Sequence, residues 1–136
     1  MIAEIEYKGE LRTEARHIRS GDVIYTDAPL DNQGKGEAFS PTDLTCASLG
    51  SCILTIMGIA ARNHNINIEG AKAEVYKTMD SNPRRIQEIK IHIIMPAGSY
   101  SSREMKIIEK AAHHCPVALS LHPDTREIIE FSWMTR

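Results

Sequence analysis

The chain has 136 residues, three cysteines and a formal net charge of −2 at pH 7. This length fits one domain, predicted over residues 1–136, with enough chain for a hydrophobic core. The charge excludes a chain-wide basic field that would bind nucleic acid or an anionic membrane, and three cysteines are too few for a disulfide-stapled secreted fold. The first twelve residues lack the basic-then-apolar order of a signal peptide, which indicates a cytoplasmic protein with reduced thiols.

Three strands are predicted in the first part of the chain, followed by a loop. Gly9 and Gly21 separate segments that alternate moderately between apolar and polar residues. The strands are predicted at residues 2–8, 10–19 and 22–28. The polar, glycine-bearing segment PLDNQGKGEAF, residues 29–39, is typical of a loop.

A long helix is predicted from residue 41 to residues 61–63. Ser40 as N-cap and Asp43 three residues later form a capping box, and a proline suits the first helical position. Residues 44–61, LTCASLGSCILTIMGIAA, carry no charge and approach the length that spans a membrane. Hydroxyl residues and glycines interrupt this run, so a buried core helix is the favoured interpretation. A helix that is apolar nearly all round needs more cover than one small domain supplies, which suggests a second subunit.

The second half of the chain predicts further strands and helices. They are strands at 66–79 and 84–96 around a turn at 80–83, helices at 102–114 and 116–121, and a closing strand at 125–135. In the strand 84–96, Ile91 and its apolar neighbours fall on one face, whereas Lys90 and His92 fall on the other. The order of elements predicts an α+β fold, in which a mostly antiparallel sheet packs on a central helix.

The two helix cysteines differ in their predicted surroundings. Helical spacing puts Cys46 on a stripe with Leu49, Ile53 and Met57, which favours a buried core thiol. Cys52 lies on another stripe, among small hydroxyl residues that leave room for a polar ligand. The spacing of Cys52 is equally compatible with a core position, because buried cysteine is common.

The third cysteine, Cys115, precedes a proline that opens a new helical turn, where free backbone N–H groups lower a thiol pKa. This pattern predicts a reactive thiol, and a loop cysteine beside two solvated histidines is the alternative. A cysteine–histidine hydrolase lacks a recognisable oxyanion element. A metal site of Cys115, His113 and His114 is disfavoured, because adjacent residues rarely converge on one ion. Asp43 is explained more simply as the capping acid than as a catalytic acid.

The two cysteine segments together carry a resemblance to a known family. SPTDL with GSC on a long uncharged helix, and CPV after a second helix, resemble the OsmC/Ohr family of osmotically inducible and organic hydroperoxide resistance proteins. The resemblance implies an OsmC-like fold, an intertwined homodimer with active sites at the subunit interface, and a thiol peroxidase without metal or organic cofactor. In the implied cycle Cys52 attacks the peroxide, Cys115 resolves the sulfenic acid as a disulfide, and a dithiol such as a lipoylated protein restores the enzyme.

The resemblance also implies an arginine from an N-terminal strand. Cys52 lies in the third turn of its helix, beyond the reach of the N-terminal dipole, so a nearby cation must stabilise its thiolate. The run RSG at residues 19–21 resembles the family's arginine segment, which makes Arg19 the candidate and Arg16 the next. A solvent-facing charge at a strand end is the alternative for Arg19. Thr42 stands where peroxidase members often carry a glutamate, so a non-catalytic ligand-binding or thiol-sensing protein is the alternative function.

Overall fold

The computed structural model describes residues 1–134 and divides the chain into two compact units. The first unit ends at Thr45 and the second begins at Cys46, so the long helix crosses the division. The prediction of one domain over residues 1–136 stays a prediction.

The first unit contains a three-stranded antiparallel sheet in the order β1–β2–β3. The strands are β1 (Ala3–Gly9), β2 (Arg12–His17) and β3 (Val23–Asp27). Gly9 and Gly21 have φ values of 90° and 80°, which a residue without a Cβ adopts most easily, and they lie where the chain reverses. The three predicted strands are confirmed, with ends that shift by one or two residues.

An ion-pair network fastens the loop after β3 to this sheet. Arg12 donates from Nε to Asp27 Oδ1 and from Nη2 to Asp27 Oδ2, both at 2.7 Å, and Nη2 also lies 3.2 Å from Glu37 Oε2. The buried Asp27 carboxylate also accepts a hydrogen bond of 3.1 Å from the backbone N–H of Glu37. Gly34 is required in the loop, because an added Cβ would overlap the Ala28 carbonyl oxygen.

This network predicts that the loop at residues 29–39 is released in acid. The Arg12 guanidinium holds the pKa of the Asp27 carboxyl below its usual range. A lowered carboxyl pKa contributes stability that is present above the unfolded value of about 4 and is lost as the pH falls through the folded value. Limited proteolysis should therefore find the loop protected at pH 7 and cleaved only below about pH 4.

The Asp27→Asn variant should expose the same loop at neutral pH. Asparagine carries no charge, so Arg12 loses its buried counter-ion, and we expect cleavage at least about tenfold faster than in the unaltered protein. Asp22→Asn is the matched control, because the Asp22 side chain is exposed and makes no hydrogen bond or ion pair within residues 1–134. Equal cleavage rates in the two variants would show that the network does not hold the loop.

The second unit contains the sheet β4–β5–β6 and most of the helical residues. Its elements are α1 (Pro41–Asn63), which begins in the first unit, β4 (Lys72–Ser81), β5 (Arg84–Ile94), α2 (Ser102–Ala112), α3 (Pro116–Leu119) and β6 (Arg126–Ser132). Strands β4 and β5 pair antiparallel, whereas β5 and β6 pair parallel. The α+β fold with a mostly antiparallel sheet is therefore confirmed.

The largest differences from the predicted boundaries in the second unit are in β4 and β6. The strand expected at 66–79 starts only at Lys72, because a turn with Gly70 at a φ of 94° precedes it. The closing strand expected at 125–135 ends at Ser132, and residue 135 lies outside the described residues.

Helix α1 begins with the predicted capping box. Ser40 Oγ accepts from the Asp43 backbone N–H and Asp43 Oδ2 accepts from the Ser40 backbone N–H, each at 3.0 Å. By length and a mean hydropathy of 1.9, α1 is the helix among the described residues that meets the criteria for crossing a membrane. Its buried residues are Cys46, Leu49, Gly50, Ile53, Met57 and Ala61. Its other side leaves Ser48, Ser51, Thr55 and Ile59 exposed, so one chain does not cover the whole helix.

The buried face of α1 packs on the second sheet. Ile89, Ile91 and Ile93 of β5 are fully buried in one cluster with it, as the alternation predicted. Gly50 allows this close approach, because an added Cβ would lie 3.0 Å from Val75 Cγ2. The helix that carries Cys52 is thus fixed on the inner face of the sheet.

Candidate thiol site

Two of the three cysteines meet in the second unit. Cys52 lies on α1 and is half-buried, whereas Cys115 is the N-cap residue of α3 and is only 1% exposed. The Cys115 thiol shares a hydrogen bond with the Cys52 side chain, and none of the three cysteines is in a disulfide. The structure therefore brings together the two thiols that the sequence singled out, in their reduced form.

Local sequence explains how Cys115 reaches this position. Helix α2 ends at Ala112, and the chain turns before Cys115. Cys115 has an extended backbone with φ −83° and ψ 123°, the conformation that a following proline favours. Pro116 then occupies the first helical position of α3, where a missing N–H costs nothing.

The acidity of Cys115 differs from the prediction. Burial raises the pKa of the Cys115 thiol, and the hydrogen bond with Cys52 raises it further. The backbone N–H groups of Ala118 and Val117 lower the pKa, as expected at a helix start, but burial outweighs them. The prediction that Cys115 has a lowered pKa is therefore wrong, because it counted the helix start and not the desolvation.

The two thiols also differ in their hydrogen-bond role and in their exposure. A thiol of raised pKa stays protonated at neutral pH, so Cys115 can donate its S–H to the Cys52 sulfur. Cys52 is also the more exposed of the two, and an attacking sulfur must be reachable by substrate. Cys52 is therefore the more accessible sulfur of the pair, and Cys115 is the more deeply buried one.

Cys46 differs from Cys52 and Cys115 in that it packs in the core as a small apolar side chain. It is 1% exposed and belongs to the same buried cluster as Leu49, Ile53 and Met57, which confirms the predicted core stripe. A cysteine in such surroundings packs as a small apolar side chain.

The candidate arginines belong to the first unit, whereas both thiols belong to the second. Arg19 is exposed in the turn between β2 and β3, and within residues 1–134 it makes no hydrogen bond or ion pair. Ser20 Oγ lies 2.7 Å from His17 Nδ1 and shapes this turn. Arg16 lies on β2, with Nη2 3.5 Å from Glu4 Oε1. The role of Arg19 toward Cys52 stays a prediction.

Arg12, which was not predicted from the sequence, is the arginine most firmly held in the first unit. Asp27 closes the segment VIYTD, and a buried aspartate almost always has a cationic partner. That signal pointed to a paired arginine nearby, but it did not say which arginine.

Both histidines before Cys115, His113 and His114, are exposed. His114 lies on the surface with Nδ1 2.8 Å from the Lys110 carbonyl oxygen. The described part of the chain contains no group of three or more histidine, cysteine or acidic side chains that could hold a metal ion.

The fold and the cysteine pair were compared with known proteins. The family described as OsmC-like protein matches residues 34–128. A protein of Psychrobacter arcticus 273-4, provisionally described as an osmotic stress induced and detoxification response protein, is 48% identical with a TM-score of 0.92, and the match covers 97% of this chain and 96% of that one. No curated protein matches the chain.

More distant structures share the fold. An OsmC-like protein of Mycoplasma pneumoniae has 18% identity and a TM-score of 0.80 over 97% of this chain and 95% of its own. The organic hydroperoxide resistance protein OhrB of Bacillus subtilis has 14% identity and a TM-score of 0.68 over 97% of this chain and 98% of its own. Because the matched family spans most of the chain and a 48% identical protein has the same structure over nearly all of it, the chain belongs to the OsmC-like protein family.

Proposed function

We propose that the protein is a cysteine-based peroxidase that reduces organic hydroperoxides, and hydrogen peroxide as a second substrate, in the oxidative-stress defence of the cytoplasm. The observation that carries the proposal is the thiol pair, in which a half-exposed Cys52 shares a hydrogen bond with a buried Cys115. Family membership adds support, since fold relatives from Legionella pneumophila and Bacillus subtilis are named organic hydroperoxide resistance proteins.

In the first proposed step, the Cys52 thiolate attacks the outer oxygen of the hydroperoxide. An S–O bond forms and the O–O bond breaks, so Cys52 becomes a sulfenic acid and the peroxide leaves as an alcohol after it takes up a proton. Only the thiolate performs this attack, which is why a cation is expected near Cys52. Arg19 is the proposed cation, and Arg16 is the next candidate.

In the second proposed step, Cys115 resolves the sulfenic acid. Its sulfur attacks the Cys52 sulfur, the S–O bond breaks, and water leaves with the Cys115 proton. The hydrogen bond between the Cys115 thiol and the Cys52 side chain supports this step. An external dithiol, for which a lipoylated protein is the proposed source, then reduces the disulfide by thiol exchange. No metal or organic cofactor takes part in this cycle.

We also propose that the active form is a homodimer with its thiol sites completed at the subunit interface. An apolar face of the first sheet supports this, because Ile5, Ala15 and Ile24 lie opposite one another in register. Ile5 is 66% and Ile24 is 48% exposed in the single chain, and the neighbouring Tyr7 is 63% exposed. Mass photometry at nanomolar concentration should give the mass of two chains, and a monomeric mass would remove the interface from the proposal.

Peroxide consumption tests the proposed activity directly. The purified protein is mixed with dithiothreitol and with cumene hydroperoxide, tert-butyl hydroperoxide or hydrogen peroxide, and the loss of peroxide is followed. We expect many turnovers per chain and a faster rate with the two organic hydroperoxides. The absence of turnover with all three peroxides would favour the alternative of a non-catalytic protein that binds a small ligand or senses thiol-reactive compounds. Thr42 motivates that alternative, because it stands where peroxidase members often carry a glutamate.

A further inference from the structure

Three side chains on the outer face of the second sheet are joined by two hydrogen bonds. Glu74 of β4 lies directly opposite His92 of β5, and Ser132 of β6 lies opposite Ile94, one row further along. His92 Nδ1 lies 2.9 Å from Glu74 Oε1, and His92 Nε2 lies 2.7 Å from Ser132 Oγ. A carboxylate, an imidazole and a hydroxyl are therefore connected in that order across three adjacent strands.

Because side chains alternate along a strand, Glu74, His92 and Ser132 lie on the face of the sheet opposite the buried core. Ile91 and Ile93, on either side of His92, are fully buried against the helices, so His92 points to the opposite face. The side chains of His92 and Glu74 are 28% and 49% exposed, and Ser132 is half-buried. A small molecule in solution can therefore reach the hydroxyl and the imidazole.

The hydrogen-bond partners fix which histidine nitrogen carries the proton. An ionised carboxylate only accepts hydrogen bonds, so Nδ1 is the nitrogen that donates, to Glu74. The lone pair of Nε2 is then free to accept the hydrogen of the Ser132 hydroxyl. Nucleophile, base and orienting acid thus stand in the relation that activates serine in hydrolases of unrelated folds.

We propose that Ser132, His92 and Glu74 form a second reactive site, which transfers small acyl groups from activated carboxylic esters to water. Ser132 Oγ attacks the carbonyl carbon while His92 Nε2 takes the hydroxyl proton. The ester C–O bond breaks, and the leaving alcohol takes that proton from His92. Water then attacks the acyl-serine, gives its proton to His92, and releases the carboxylic acid as Ser132 regains its hydrogen.

The surroundings of Ser132 indicate which esters fit. Lys72, Ile94 and Ser132 form one row across the three strands on this face. Within residues 1–134 the Lys72 side chain makes no hydrogen bond or ion pair, so its charge is available for the oxygen that becomes negative during attack. Lys90, on the same face, is already engaged with Glu130 at 3.5 Å. Ile94 offers an apolar floor for a short acyl chain, and a face without enclosing walls favours small, reactive esters.

A second serine–histidine pair in the same chain, Ser20 and His17, serves as a control for this proposal. Ser20 Oγ lies 2.7 Å from His17 Nδ1, the same separation as in the Ser132–His92 pair. Within the described residues no carboxylate contacts His17, so that imidazole lacks an orienting acid. Ser132 and Ser20 therefore compare a serine–histidine pair that has a carboxylate partner with one that lacks it.

Labelling with a fluorophosphonate tests the proposal, because this reagent phosphonylates activated serines. The full-length protein is incubated with the reagent, digested, and mapped by mass spectrometry. We expect the label on Ser132 and none on Ser20. Glu74→Gln keeps the shape of the side chain and removes its charge, and it should slow labelling of Ser132 at least about tenfold. The Ser132→Ala variant should lose the label altogether.

Hydrolysis of p-nitrophenyl acetate gives a second readout. Ser132→Ala should lower the rate, and an acetylated Ser132 should be detectable by mass spectrometry in the unaltered protein during turnover. An unlabelled Ser132 in folded protein, or equal labelling of Ser132 and Ser20, would overturn the proposal. An unchanged labelling rate in Glu74→Gln would also overturn it, because the carboxylate would then serve only to tie β4 to β5. Mapping of the label in the unaltered protein tests whether Ser132 is reactive even where a variant does not fold.

Discussion

Replacement of Cys52 by serine should reduce peroxide turnover to below about 1% of the unaltered protein, because a hydroxyl is neither ionised at neutral pH nor oxidised by peroxide. Cys115→Ser should behave differently. Cys52 would still be oxidised once, and its sulfenic acid would accumulate for lack of a resolving thiol. Dimedone labelling followed by peptide mapping distinguishes the two variants, with the label on Cys52 only in Cys115→Ser.

The disulfide itself gives the second readout of this prediction. After about one equivalent of peroxide, the unaltered protein should contain a Cys52–Cys115 bridge within one chain and a reduced Cys46, since only neighbouring thiols exchange. Cys46→Ala is the matched control and should retain turnover, because Cys46 packs in the core. Peptide mapping that placed Cys46 in the bridge would contradict the assignment of the two helix faces.

Replacement of Arg19 by alanine should lower peroxide reduction at neutral pH by at least about tenfold. An opposite charge within about 4–6 Å commonly shifts a pKa by one to three units, and each unit changes the thiolate fraction about tenfold below the pKa. The rate of Cys52 alkylation as a function of pH, measured in a Cys46→Ser and Cys115→Ser background, reports that thiolate fraction. Arg19→Lys should recover only part of the activity, since lysine lacks the planar fork that holds two partners at once.

Three outcomes separate the roles of the arginine. Equal losses of alkylation and turnover would support thiolate stabilisation by Arg19. Lost turnover with unchanged alkylation would assign Arg19 to the peroxide. If neither changes, another cation stabilises the thiolate, with Arg16 the next to test. Arg103→Ala is the matched control, because Arg103 is a surface arginine on α2 without an ion pair in the described part of the chain.

Most of the fold could be predicted because its local signals are strong. The Ser40–Asp43 capping box located the start of α1, and alternation in β5 identified its buried face. Local sequence signals did not predict the features of the fold that depend on tertiary contacts. The parallel pairing of β5 with β6 depends on the route of the chain through α2 and α3, and nothing in the sequence of either strand encodes it.

The pairing of two cysteines could be predicted from the sequence, but their electrostatics could not. Spacing separated Cys52 from the core stripe of Cys46, and a proline marked Cys115. The acidity of Cys115 was misjudged, because burial depends on distant residues such as Ile89 that share its cluster. The contacts among Ser132, His92 and Glu74 could not be predicted from the sequence either, because they depend on the register of three strands.

The two sulfurs of the proposed disulfide differ in exposure, so a reductant is expected to attack one of them first. A protein dithiol is bulky, and it reaches the half-exposed Cys52 sulfur rather than Cys115, which is 1% exposed. The mixed disulfide therefore forms at Cys52, and Cys115 departs into a buried position. Burial raises the pKa of the Cys115 thiol, which makes Cys115 a poorer leaving group than an exposed cysteine of ordinary pKa. The step that expels Cys115 is therefore expected to limit reduction, and the second sulfur of a dithiol would then free Cys52, where a monothiol would leave a mixed disulfide.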